Sequence, residues 1–139
     1  MMVMPLSTVE VPEDNEVFGV TAGAFERFGY SAAVRSNGLL FIAGLIGLRP
    51  DGTCPEDIEG QTEWALRRTE EVLRLEGLQL TDVVEVVSYH VDIHQHLAGF
   101  LNIKSRFFRD SRPAWSMIGA SGLATPGRLI EIRSVAAYQ

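Results

Sequence analysis

Ser31-Ala32-Ala33-Val34-Arg35-Ser36-Asn37-Gly38-Leu39-Leu40-Phe41-Ile42-Ala43-Gly44 holds the strongest local signal in the chain. Asn-Gly between two strand-like runs predicts a β-hairpin, because both central residues of a type I′ turn need positive φ. Downstream, Arg49-Pro50-Asp51-Gly52 reads as a second turn, with Pro presetting φ and Gly relaxing the last position. A helix is then expected over residues 57–76, with Asp57 as N-cap and Gly77 as the stop. Its apolar stripe is Ile58, Ala65, Leu66, Val72 and Leu73, filled in by Thr62 and Thr69, and it leaves Glu63, Arg67, Glu70, Glu71 and Arg74 toward solvent. Residues 83–91 are dense in β-branched side chains and read as a strand. A second helix over about 95–108 puts Leu97, Phe100, Leu101, Lys104 and Phe108 on one side, and strands at 114–120 and 129–138 flank the Thr125-Pro126-Gly127 turn. Upstream of the hairpin, residues 1–28 carry Pro5, Pro12 and a cluster of acids, and predict an irregular arm before a domain over 29–139.

The resulting order is β-β-α-β-α-β-β, an α+β layer with a mixed sheet of about five strands, a hairpin at each end and two helices on one face. Yet the strands are apolar on both sides: Leu39, Phe41 and Leu45 oppose Leu40, Ile42 and Ile46, and Leu129, Val135 and Ala137 oppose Ile130, Ile132 and Ala136. Two helices cover one face only, so a second copy of the chain is expected on the other.

Composition narrows the function. Apolar residues make up 46% of the 139 residues and charged residues 22%, a globular balance. The longest apolar runs, 39–48 and 83–91, fall short of the roughly 20 residues of a membrane helix. The start Met1-Met2-Val3-Met4-Pro5 lacks a secretory pattern, so a cytoplasmic protein is the expectation. A net charge of −6 works against nucleic-acid binding, which draws on clustered Lys and Arg; Arg67-Arg68 is the one basic cluster and lies on a Glu-rich helix. The single cysteine, Cys54, stands beside Glu56 and Asp57, which disfavour its thiolate, and reads as a bystander. His90, His94 and His96 with Asp92 match no standard zinc spacing, so no metal is expected. No G-x-S-x-G elbow surrounds Ser121-Gly122, and no phosphate loop occurs.

Gly29-Tyr30-Ser31-x-Ala33-Val34, Leu40-Phe41-Ile42-x-Gly44, Gln61, Gly77-Leu78-x-Leu80-x-Asp82-Val83-Val84, Arg112-Pro113-Ala114 and Ile130-Glu131-Ile132, in this order, resemble the YjgF/Rid family of reactive-intermediate deaminases, also known as endoribonuclease L-PSP-like proteins. The resemblance covers nearly all of residues 29–137 and implies a chorismate-mutase-like fold, a homotrimer with a central barrel, and small-molecule clefts between subunits. Deaminating members hydrolyse enamines and imines to 2-oxo acids and ammonia. That chemistry calls for no cofactor: the imine carbon is already electrophilic, and the protein holds a carboxylate and orients a water.

By the same resemblance, an arginine after Pro-Ala clamps the substrate carboxylate, and here that position is Trp115. Ala43, Leu45 and Met117 stand where the family has Ser, Gln and Cys, which implies a more apolar pocket and altered specificity. The second-helix Asn of the family aligns with Leu101 rather than Asn102. Tyr30 and Glu131 remain, and the resemblance makes Glu131 the water-orienting carboxylate. A charged residue between Ile130 and Ile132 needs a wet cleft or a partner. Strand period puts Arg133 on its face, either as a plain ion-pair partner or as a replacement anion anchor. Tyr30 opens the first strand as a ligand donor or as an amphipathic packing residue. The sequence thus supports an imine or enamine hydrolase or, alternatively, a non-catalytic ligand-binding trimer; ribonuclease activity fits the acidic charge least.

Overall fold

The computed structural model describes residues 6–139. Asn37 (φ 51°) and Gly38 (φ 77°) form the expected left-handed turn. It joins β2 (Ala33–Ser36) to β3 (Leu39–Ile46) in antiparallel register, with Ala33 opposite Ile42 and Ser36 opposite Leu39. The remaining elements are β1 (Ser7–Val9), α1 (Ala24–Phe28), α2 (Ile58–Leu75), β4 (Val83–Val91), α3 (Ile93–Phe107), β5 (Ala114–Ala120) and β6 (Ile130–Ala137). They build an α+β layer around a six-stranded mixed sheet of order β1-β2-β3-β6-β4-β5.

The Asp57 carboxylate accepts from Gly60 N at 2.8 Å and caps α2, which ends before Gly77 at φ 71°. All seven residues of the expected stripe are buried. Glu71, expected toward solvent, is buried too: it takes Arg74 and the Asn15 amide as partners. The second helix begins two residues earlier than expected, and its Leu101 is exposed while Phe100 and Ile103 go inward. Helices α2 and α3 approach closely at Gly99, where a Cβ would sit 2.7 Å from Ile58 Cγ2.

Three further expectations are corrected, and a bulge adds a feature that no sequence pattern signalled. The 1–28 segment is not irregular where described. Its β1 adds a sixth strand on β2, a 3₁₀ turn spans Gly19–Thr21, and α1 makes a third, short helix; Val9, Val11, Phe18, Ala22 and Phe25 enter the core. Residues 1–5 lie outside the described residues. Second, no closing hairpin forms. Strand β6 inserts between β3 and β4, and β5 pairs parallel to β4 at the sheet edge. Pairing also jumps from Ile42–Ser134 to Leu45–Ile132, so Ala43 and Gly44 together oppose Arg133 in a β-bulge. Third, the bulge exchanges the faces of Leu45 and Ile46: Leu45 joins Leu40 and Ile42 in the core, and Ile46 turns away.

The helices cover one sheet face. The other exposes Phe41, Val84 and Ile118 among Arg133, Val87 and Ser116. No helix among the described residues is long and apolar enough to cross a membrane.

Candidate functional site

The bulge at Ala43–Gly44 lies two rungs from Glu131, which registers with Ile46 on one side and Tyr89 on the other. A Cβ on Gly44 would fall 2.8 Å from Glu131 Cδ, so the missing side chain makes room for the carboxylate. Among the described residues Glu131 has no ion pair, Arg133 included. It opens instead into a cleft of about 560 Å³ bounded by α1, the end of β3, the turn before β6 and α2.

Tyr30 stands at the mouth of this cleft. Gly29 ends α1 at φ 83°, and the chain then turns Tyr30 back so that its ring meets Phe25 edge-on at 5.7 Å. Val20, Ala24, Phe28 and Leu48 supply apolar wall. Three arginines complete the lining, the exposed Arg27 on α1 together with Arg68 and Arg128. Arg68 is 4% exposed and donates to Leu48 O (2.8 Å), Thr21 Oγ1 (2.8 Å) and Arg49 O (3.3 Å), while its guanidinium lies over the Phe18 ring at 4.7 Å. Burial without an acidic partner pulls its pKa down to about 10. The Arg128 Nε is buried and meets no acceptor among the described residues.

Of the residues singled out in sequence, this cleft gathers Glu131, Tyr30 and Leu45, the last mostly buried behind its wall. It does not gather Ala43, Trp115, Met117 or Arg133 within one subunit. Arg133 is exposed on the helix-free face opposite Val87. Trp115 and Met117 register with Val86 and Ser88 on the helix side, whereas Glu131 shares its rung with Tyr89 and Ile118 on the other face. The Trp115 ring packs edge-on against Phe108 (5.1 Å) and Phe100 (6.0 Å), with Lys104 Nζ over it at 4.4 Å. Its indole N–H donates to Ser88 Oγ at 2.9 Å, and Ser88 Oγ lies 2.7 Å from His90 Nε2. A hydroxyl that accepts from Trp115 keeps one proton and one further lone pair, so it can donate to or accept from His90, and a neutral imidazole suits either arrangement. Burial favours that same form and lowers the His90 pKa. No group of three His, Cys, Asp or Glu residues among the described residues has metal-binding geometry.

Sequence reading missed Arg68 and Arg128. Arg68 had a usable signal: it stands three residues after Ala65 and four before Val72, on the apolar stripe rather than beside it. Arg128 had none, because its place follows from the turn before β6. A second groove, between α2 and residues 78–81, offers Arg67, Glu70, Glu71 and Arg74, but Glu71 and Arg74 already satisfy each other.

Fold and cleft together define a small α+β protein with a one-sided mixed sheet and a polar pocket at the bulged end. Residues 24–138 match the family model described as endoribonuclease L-PSP. The chain is 33% identical over 108 residues to the RutC family protein YjgH of Escherichia coli K12, covering 77% of this chain and 81% of that protein. A crystal structure of Rv2704 from Mycobacterium tuberculosis, a member of the highly conserved YjgF/YER057c/UK114 family, aligns with TM-score 0.74 and 34% identity over 86% of this chain and 95% of that one. The chloroplastic Reactive Intermediate Deaminase A of Arabidopsis thaliana is 30% identical over 112 residues, 77% of this chain and 57% of that protein. The chain belongs to the YjgF/Rid family, which carries the endoribonuclease L-PSP name.

Proposed function

We propose that the protein hydrolyses an imine or enamine to a carbonyl compound and ammonia, on a substrate more apolar than 2-aminoacrylate. The observation that carries this reading is a carboxylate, Glu131, without an ion pair among the described residues, seated over Gly44 and facing a cleft with a phenol at its mouth. Starting from the protonated imine, Glu131 takes a proton from water as the water oxygen bonds to the imine carbon, and the π pair moves to nitrogen. Glu131 then returns that proton to the nitrogen. The C–N bond breaks with its electron pair leaving on ammonia, and the hydroxyl proton passes to solvent as the carbonyl forms. Tyr30 serves as the hydrogen-bond donor that holds the ligand at the mouth.

A homotrimer belongs to the same reading; what supports it is that Phe41, Val84 and Ile118 leave an apolar face uncovered and that β5 is an edge strand. Trp115 and Met117 on that edge would complete the cleft of a neighbouring copy, and Trp115 would select among ligands. The alternative is a non-catalytic ligand-binding trimer. It draws on Trp115 standing where the resemblance places the clamp arginine. Glu131→Gln keeps the shape of the side chain and removes the base. Ammonia release from freshly generated imines of an amino-acid panel should fall about 10²- to 10⁴-fold. Undiminished release from every imine would leave the binding reading in its place.

A further inference from the structure

Cations in this cleft outnumber the anion they face. Arg68 has five N–H donors, and the three acceptors it reaches are two carbonyls and one hydroxyl, all neutral. A guanidinium that is 4% exposed, with no carboxylate paired to it among the described residues, is costly to hold, and that cost falls when an anion arrives. Arg128 is the second such group. Its Nε is buried without an acceptor, although the backbone around it is pinned: Leu129 N donates to Gln61 Oε1 at 2.8 Å, and Gln61 Nε2 donates to Pro55 O at 2.9 Å. A guanidinium on the wall of a cleft, with no acidic partner among the described residues, offers an anion a charge-assisted contact.

From this lining we infer that Arg128, supported by Arg68, binds the carboxylate of the ligand in the Glu131 cleft. The ligand's carboxylate then lies on the arginines and the rest of the ligand against Phe28, Val20 and Leu48. The inference rests on the cleft being the ligand site, as proposed above, and it moves the anion anchor from the position of Trp115 to the turn before β6. Arg133 is not that anchor, because it is exposed on the helix-free face and does not line the cleft.

The probes are 4-phenyl-2-oxobutanoate and its neutral primary amide, titrated calorimetrically into the full chain. The parent should bind the acid about 10- to 100-fold more tightly than the amide, the range for one charge-assisted contact. Arg128→Gln should abolish that preference by weakening the acid alone. Arg68→Lys, which keeps a charge in the core, should reduce it partially. Equal affinity for acid and amide in the parent, no binding of either, or an unchanged preference in a folded Arg128→Gln protein would each overturn the inference. Glu131→Gln separates the two claims: if it leaves turnover intact while the preference still depends on Arg128, hydrolysis fails and the anion site stands.

Discussion

Polar groups lie in two very different settings on either side of the sheet. Beneath α3, the Trp115 indole, Ser88 hydroxyl and His90 imidazole form a chain of hydrogen bonds against Phe100, with Ser88 and His90 buried. In the cleft at the bulged end, Glu131 lacks an ion pair and Arg128 Nε lacks an acceptor among the described residues. Burial alone does not distinguish a working site from a structural one; what does is polar capacity that the protein itself leaves unused. A satisfied network fixes a core, and the open one is the ground on which the proposed ligand site rests.

The largest expected contrast is in Glu131→Gln, which should cost about 10²- to 10⁴-fold in ammonia release and shift stability by less than about 0.5 kcal/mol in urea denaturation. A large loss of stability would mean that Glu131 belongs with the structural network after all. Arg128→Gln comes next, with the 10- to 100-fold loss of carboxylate preference set out above. On the other side, Ser88→Ala strips both Trp115 Nε1 and His90 Nε2 of their partner. It should destabilise the fold by about 1–3 kcal/mol while leaving the preference for acid over amide unchanged.

The His90 pKa shift makes the same core pH-sensitive. Burial holds the folded-state pKa below the ordinary value, so the unfolded chain binds more protons as pH drops. The stabilisation is therefore complete above about pH 6.5 and is lost as pH falls below it through the folded pKa, at up to about 1.4 kcal/mol per pH unit. Melting temperatures between pH 7.5 and 5 should fall less steeply in His90→Gln than in the parent, each referred to its own value at pH 7.5. The smallest effect is expected where α2 meets the chain end. There Tyr138 Oη donates to Glu76 Oε1 at 2.6 Å beside the Arg35–Glu76 ion pair, and burial with the Glu76 carboxylate pushes the phenol up to about 12. Tyr138→Phe should cost less than about 1 kcal/mol by thermal denaturation, because the network is open to solvent.

Much of this molecule follows from short-range rules. Positive φ at Asn37-Gly38, the Asp57 cap and Gly77 stop, and the β-branched run before His90 are local demands that a reading of neighbours meets. Glu131 was legible for the same reason, since a charge between two isoleucines contradicts its surroundings. The tertiary structure alone decided the insertion of β6 between β3 and β4, the pairing of β1 with β2, and the bulge that exchanges Leu45 with Ile46. It also decided that Glu131 and Trp115 occupy opposite faces and that Arg68 and Arg128 join Glu131 in one cleft. The physical reason is that strand order and bulges are settled by contacts between residues far apart in the chain, and a single extra residue in one strand reverses every side chain beyond it without changing the periodicity on either side.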